Sequence, residues 1–364
     1  MLFSRRAEWN AQPNRLSLAR AAYRGELLDL TESNPTKADL DYPLDELSEV
    51  MARAARSRYD PQPLGLPSAR EALARELGCD AADVAITAST SEAYSFLFKL
   101  LADPGDAILT TTPSYPLLEH LAALELVQLH SFPLEFHRRW EIDPAAVRAA
   151  IDERTRAIVV VHPNNPTGSY VSPPEQQALA ATGLPIISDE VFHDFAFGAR
   201  PPSFGTFTLG GLSKSAGLPH YKLGWIRVRG PRKAEAIAAL ELIADNFLSV
   251  ATPVQAALPD LLRIAPRIRD AIRERTRTNL TTLQNAVAKK PEVQLLPVEG
   301  GWTAVLRVPR IMTDEELALQ FLEQHGVVVH PGYFFDFQDD GYFVVSLLTK
   351  SDLFTKGIQL ITNH

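Results

Sequence analysis

Three short segments hold residue types that can do chemistry together. Lys214 lies in Gly210-Gly211-Leu212-Ser213-Lys214-Ser215, Asn165 in His162-Pro163-Asn164-Asn165-Pro166-Thr167-Gly168, and Asp189 in Ser188-Asp189-Glu190-Val191. A lysine amine can condense with an aldehyde, a buried carboxylate can keep a ring nitrogen protonated, and an asparagine amide can hydrogen-bond a ring oxygen. The segments of Asn165 and Asp189 each follow an apolar run, Ala157-Ile158-Val159-Val160-Val161 and Leu184-Pro185-Ile186-Ile187. Such runs predict buried strands, which places both residues at the carboxyl ends of neighbouring strands, the edge of an open α/β sheet where ligands bind. Taken singly, each has a plainer role as a loop lysine, a strand-end cap or a turn former. Their order along one chain is what points to a common pocket.

The elements that must position them follow from the same pattern. Apolar strands alternate with amphipathic helices from Ala81 to Arg229, which predicts an α/β fold with a mainly parallel sheet flanked by helices. At 364 residues and 46% hydrophobic content, the chain can bury one large core and a smaller one, so two domains are expected. Pro67 near the start and Gly78 at the end bracket one helix. A second helical pattern runs from Lys233 to about Phe247, with Thr252-Pro253 closely after it, and a long helix there would lead into a C-terminal α+β domain. The basic run from Arg263 to Arg277 is interleaved with Asp270 and Glu274, as on a solvated helix face. The 27 prolines are dispersed as turn and segment punctuation.

With these motifs in this order, the chain resembles the fold type I pyridoxal-phosphate enzymes, specifically the aspartate aminotransferase superfamily (class I/II aminotransferases), from about Leu28 to the C-terminus. The resemblance implies pyridoxal 5′-phosphate (PLP) as cofactor, with Lys214 forming the internal aldimine, Asp189 pairing with the pyridinium nitrogen and Asn165 donating to the phenolic oxygen. It implies that Ser89, Thr90 and Ser91 cup the phosphate; a Ser/Thr cluster before a helix also has the simpler reading of capping. It implies that Tyr115, in Thr112-Pro113-Ser114-Tyr115-Pro116, stacks on the cofactor ring, and that Tyr59 reaches the neighbouring subunit's phosphate in a homodimer with shared active sites. Trp9, Ser33 and Asn34 resemble its substrate-side covering. The domains it implies are a large PLP-binding domain over 46–250 and a small domain made of 1–45 together with 251–364. The implied reaction is a ping-pong transfer of an amino group between an amino acid or related amine and a 2-oxo acid.

Three positions depart from the family pattern. Lys222 stands where an arginine usually grips the phosphate, supplying charge without the bidentate fork. Phe192 replaces a tyrosine that donates to the phenolic oxygen, a loss that His193 or Tyr221 would have to make good. Val344 falls near the arginine that forks onto a substrate carboxylate, so another cation binds that group or the substrate is not a standard α-amino acid.

Other chemistries fit poorly. A nucleotide P-loop requires glycine where Ser213 stands, and a nucleophile elbow requires glycine where Ser215 stands. His162, His193 and His220 lack a metal-ligand spacing, so no metal is expected. A net charge of −8 argues against nucleic acid as a partner, and no apolar run is long enough for a membrane span. The single cysteine, Cys79, excludes a disulfide framework and suits a reducing cytoplasm. Competing readings are another PLP reaction (elimination, decarboxylation or condensation) and a catalytically silent PLP-binding relative.

Overall fold

The computed structural model describes residues 3, 4, 6 and 11–362. Its centre is an eight-stranded sheet in the order Val84–Thr87, Gly224–Val228, Phe207–Gly211, Ile186–Asp189, Thr155–Val161, Ala107–Thr112, Gln128–Phe136 and Trp140–Ile142. The five strands from Phe207–Gly211 to Gln128–Phe136 pair in parallel, and the remaining pairings are antiparallel. The central strands are buried nearly throughout, which is why they read as continuous apolar runs rather than alternating ones. Helices such as Thr90–Leu101 and Lys233–Asp245 pack against this sheet and against each other.

The register fixes the edge on which the chemistry sits. Val161 is the partner of Asp189, and Asp189 of Leu209. The strand ends that lead into His162–Gly168, Glu190 and Gly210–Lys214 therefore lie side by side.

A second, four-stranded antiparallel sheet joins Gln294–Leu295, Thr303–Arg307, Tyr342–Ser346 and His330–Pro331. The N-terminal segment docks beside it: Leu28–Asp29 pairs in parallel with Val327–Val328, and the helix Arg15–Ala22 packs on Asp314–His325.

The helix Pro67–Leu77 forms as expected, with Gly78 left-handed at its C-cap (φ 60°). The long connecting helix differs from expectation. The pattern after Lys233 ends at Asp245, and the long element is the 36-residue helix Thr252–Val287 that follows. Pro253 opens that helix, in the first turn where proline costs no hydrogen bond, and Pro259 and Pro266 lie inside it rather than at its boundaries. Burial of Leu258, Leu261, Leu262, Ala265, Ile268 and Ile272 along one face holds it together across them. Its basic run is an ion-paired surface: Arg263 meets Glu46 at 2.8 Å, Arg267 meets Asp41 at 3.0 Å and Arg273 meets Asp270 at 2.9 Å. Among the described residues no helix is long and apolar enough to cross a membrane.

Candidate active site

Asp189 ends its strand almost fully buried, with its carboxylate held by two donors. The hydroxyl of Tyr94 donates to Oδ2 at 2.8 Å, and the Val191 amide donates to Oδ1 at 3.1 Å. Burial pushes this acid up to about 6, while the Tyr94 and Val191 hydrogen bonds and the charge of Lys214 pull the other way. Tyr94 is itself buried, and its hydroxyl is driven well above its usual value by burial and by Asp189. It rises from the helix Thr90–Leu101 to meet an acid 95 residues away.

Tyr94→Phe keeps the ring and removes the donor. A hydrogen bond to an ionised group contributes about 1.5–3 kcal/mol, so the Asp189 titration midpoint is expected to move up by about 1–2 pH units. Carbon-13 NMR of the labelled carboxyl, assigned with Asp189→Asn, reads this without any cofactor. An unmoved midpoint would show that the hydroxyl does not support the charge.

Lys214 sits in a short helical turn, Leu212–Ser215, directly after the strand Phe207–Gly211. Its amine donates to the carbonyl of Ser33 at 3.3 Å and lies 5.1 Å from the ring centroid of Trp302 and 5.8 Å from that of Phe192. Desolvation lowers it to about 8, against the opposing charges of Glu32 and Asp189. It is a half-buried amine between two aromatic faces, with a substantial neutral fraction near neutral pH.

Asn165 follows the strand Thr155–Val161 by four residues, and its side-chain Oδ1 is buried with no hydrogen-bond partner. Asn164 beside it is spent on structure: its Oδ1 accepts from Thr167, and its Nδ2 reaches Thr111 and Pro113. Tyr115 is half-buried, its hydroxyl raised by burial and by the charge of Asp189.

Ser89 is the N-cap of the helix Thr90–Leu101, its Oγ accepting from the Glu92 amide at 3.2 Å, and Thr90 and Ser91 form the first turn. The strand Gly224–Val228 can lie against this turn because its first residue is glycine. A Cβ at Gly224 would come within 2.8 Å of the Ser89 carbonyl carbon and 3.0 Å of the Thr90 nitrogen. Two residues earlier, Lys222 has a left-handed backbone (φ 49°) and an exposed side chain with no ion pair or hydrogen bond among the described residues.

The remaining expected residues lie around this centre. Ser33 supplies its carbonyl to Lys214, whereas Asn34 caps the turn Pro35–Lys37 through Thr36. Tyr59 is 71% exposed and makes no hydrogen bond within the chain. Trp9 lies outside the described residues. Phe192 packs edge-on against Trp302, with ring centroids 5.2 Å apart. Of the two donors considered to replace its missing hydroxyl, His193 has its Nε2 against the Pro201 carbonyl at 3.0 Å. Tyr221 packs on His220 with centroids 4.3 Å apart. Val344 is 1% exposed, paired with Val305 and His330 in the second sheet and packed in its core. Burial depresses His162 to about 3 and His193 to about 4, so both are neutral at physiological pH. No group of three metal-ligating side chains occurs among the described residues.

The sequence reading passed over Tyr94, Trp302 and Glu32. Tyr94 stands beside another hydroxyl, Ser95, in the stretch Ala93 to Phe98 and nothing local singles it out; Trp302 follows Gly300-Gly301, and Glu32 immediately precedes Ser33-Asn34.

These residues fit PLP. The unpartnered Oδ1 of Asn165 marks a side-chain amide not spent among the described residues, whose NH2 can donate to a ring oxygen, Asp189 offers a carboxylate whose ionisation a cationic ring nitrogen would favour, and a 12-residue helix opens with hydroxyls and free amides suited to a phosphate.

Comparison with known proteins agrees. Over about 60% of this chain, the sequence is 32% identical to nicotianamine aminotransferase 1 of Oryza sativa subsp. japonica, covering 49% of that protein. It is 33% identical to S-alkyl-thiohydroximate lyase SUR1 of Arabidopsis thaliana, over 61% of this chain and 53% of that one. The chain thus spans about half the length of these curated relatives. An aspartate aminotransferase double mutant from Thermus thermophilus shares the fold, with a TM-score of 0.86 at 24% identity over 99% of both chains. The profile of the family described as aminotransferase class I and II matches residues 25–353, and the chain belongs to that family.

Proposed function

We propose that this chain is a PLP-dependent aminotransferase that moves an amino group from an amino acid or related amine to a 2-oxo acid in two half-reactions. The observation that carries this reading is the side-by-side placement of Lys214, Asp189 and Asn165 at the ends of adjacent parallel strands. When bound, PLP supplies an electron sink for the bond broken at the substrate carbon.

The chain's own residues do the rest. Lys214 Nζ, partly neutral because it is desolvated, would attach the cofactor and, when free, would take and return the substrate proton. Asp189, ionised with the help of Tyr94 and the Val191 amide, holds a proton on the ring nitrogen. Asn165 would donate to the ring oxygen through its side-chain NH2, Tyr115 would cover the ring, and Ser89, Thr90 and Ser91 with Lys222 would hold the phosphate at the helix start. Trp302 and Phe192 exclude water from the Lys214 amine.

A homodimer belongs to the same reading, supported by the exposed Tyr59 and by the exposed apolar side chains Leu242, Phe247 and Leu248. So do a cytoplasmic location, in keeping with a lone free cysteine, and the division into a cofactor domain of residues 46–250 and a smaller one of 1–45 with 251–364.

The test is an absorbance spectrum of the loaded protein before and after adding amines. Loss of a band near about 400–430 nm, restored by a 2-oxo acid, is the expected result. Release of ammonia from a thioether amino acid would instead identify a lyase, a reading favoured by the kinship with the Arabidopsis enzyme.

A further inference from the structure

The charges of two carboxylates act on Lys214, and the pocket as described so far accounts for only one of them. Asp189 has its donors and its role; Glu32 does not. Glu32 is half-buried and its Oε1 accepts from the Asn34 amide at 2.7 Å, while among the described residues its other oxygen makes no hydrogen bond and it joins no salt bridge. Its place is fixed from two sides. Ser346 donates its hydroxyl to the Glu32 carbonyl at 2.5 Å and its amide to the Leu30 carbonyl at 2.6 Å, while Lys214 bonds the carbonyl of the next residue, Ser33.

The neighbouring charges favour a cation here, although burial works against one. The charges felt by the Lys214 amine, those of Glu32 and Asp189, are both negative, and the rings of Trp302 and Phe192 present faces within 6 Å of it. The strand that clamps Glu32 contributes Val344, which is apolar and buried. Once Lys214 is engaged by the cofactor it no longer offers a free ammonium group, and among the described residues no other cation pairs with the half-buried Glu32 carboxylate. That arrangement costs free energy unless a ligand supplies one.

Resting on the aminotransferase reading, we propose that Glu32 is a specificity-determining residue that pairs with a second positive charge on the amino donor. The preferred donors are then compounds with two cationic groups, such as diamines or basic amino acids, rather than acidic amino acids. Like-charge repulsion from Glu32 disfavours the acidic ones.

The loaded protein, mixed with putrescine, ornithine, alanine or glutamate and followed by loss of the cofactor band, tests this. Putrescine or ornithine is expected to react at least about tenfold faster than glutamate at equal low concentration. Glu32→Gln, which retains the acceptor for the Asn34 amide, is expected to slow the dicationic donors about 10- to 30-fold more than it slows alanine, through their apparent affinity.

A second readout needs no turnover. N,N,N′,N′-tetramethylputrescine cannot condense with an aldehyde, and calorimetry should find its binding about tenfold weaker in Glu32→Gln. Glutamate reacting fastest, or Glu32→Gln slowing alanine and putrescine equally, would overturn the proposal. If no donor of any charge discharges the band while Lys214 still holds the cofactor, the aminotransferase reading fails. Calorimetry then decides Glu32 alone: weaker binding in the variant supports it and equal binding overturns it.

Discussion

Lys214→Ala is expected to give a folded protein whose turnover falls by at least about 10⁴-fold, because one side chain both attaches the cofactor and moves the substrate proton. The fold should tolerate the change. Lys214 is half-buried, bonds a single backbone carbonyl, and lies in a turn whose burial comes from Leu212, Ser215 and Ala216. Borohydride reduction followed by mass spectrometry separates attachment from simple binding. The wild type should gain the cofactor's mass on the peptide containing Lys214, and the variant should gain none while still binding the cofactor reversibly. A variant that keeps its turnover would remove the residue from the mechanism.

The same amine sets a pH dependence in the wild type. Desolvation lowers Lys214 to about 8, and only the neutral amine attacks an aldehyde. At pH 7 roughly a tenth of it is neutral, against well under a thousandth for an ordinary lysine. The rate of cofactor capture by the free protein should therefore rise about tenfold per pH unit below that value and level off above it.

Asp189→Asn is expected to separate function from stability. The variant keeps the shape and one acceptor oxygen for the two donors, the Tyr94 hydroxyl and the Val191 amide, and loses the charge that would hold a proton on the ring nitrogen. Removing one partner of a buried charge pair costs about 2–5 kcal/mol, which corresponds to a fall in kcat of roughly 30- to several-thousand-fold. Stability without cofactor should move the other way. The native acid is raised from 3.8 to about 6, so between those values the folded protein binds more protons than the unfolded chain. Stability from this group is complete below the lower value and is lost as pH rises through the upper one, a cost of about 3 kcal/mol at neutral pH. The cofactor-free variant should thus melt no lower than the wild type at pH 7, while the two converge near pH 4. A clear drop in melting temperature at pH 7 would show that the ionised Asp189 is structural.

What could be read from the sequence divides by the range of the interaction. The central strands were legible because burial on both faces leaves an uninterrupted apolar run, and Asn165, Asp189 and Lys214 each follow such a run closely. The helix Thr252–Val287 was misread because proline signals a boundary locally, whereas the apolar face against the core spans the whole element. Tyr94, Trp302 and Glu32 were invisible for a different reason. Their roles arise only where distant segments meet: a helix residue on a strand-end acid, an indole over the lysine, and a glutamate whose backbone carbonyl is held by a strand 314 residues further along. A hydroxyl, a ring or a carboxylate in isolation carries no mark of what will be brought to it.

The pairing of Leu28–Asp29 with Val327–Val328 also sets a clock on biosynthesis. At about 5–20 residues per second, residues 28–33 leave the ribosome on the order of 15–60 s before the strands that will hold them. The apolar side chains Leu28 and Leu30, buried in the finished protein, must wait through that interval without their partners. During translation the large sheet can close on itself, but the Ser33 carbonyl and the Glu32 carboxylate reach Lys214 only when the last strand arrives. A nascent chain stalled before residue 327 would thus carry the lysine, the acid and the phosphate turn in a folded sheet and still lack the wall that selects its substrate.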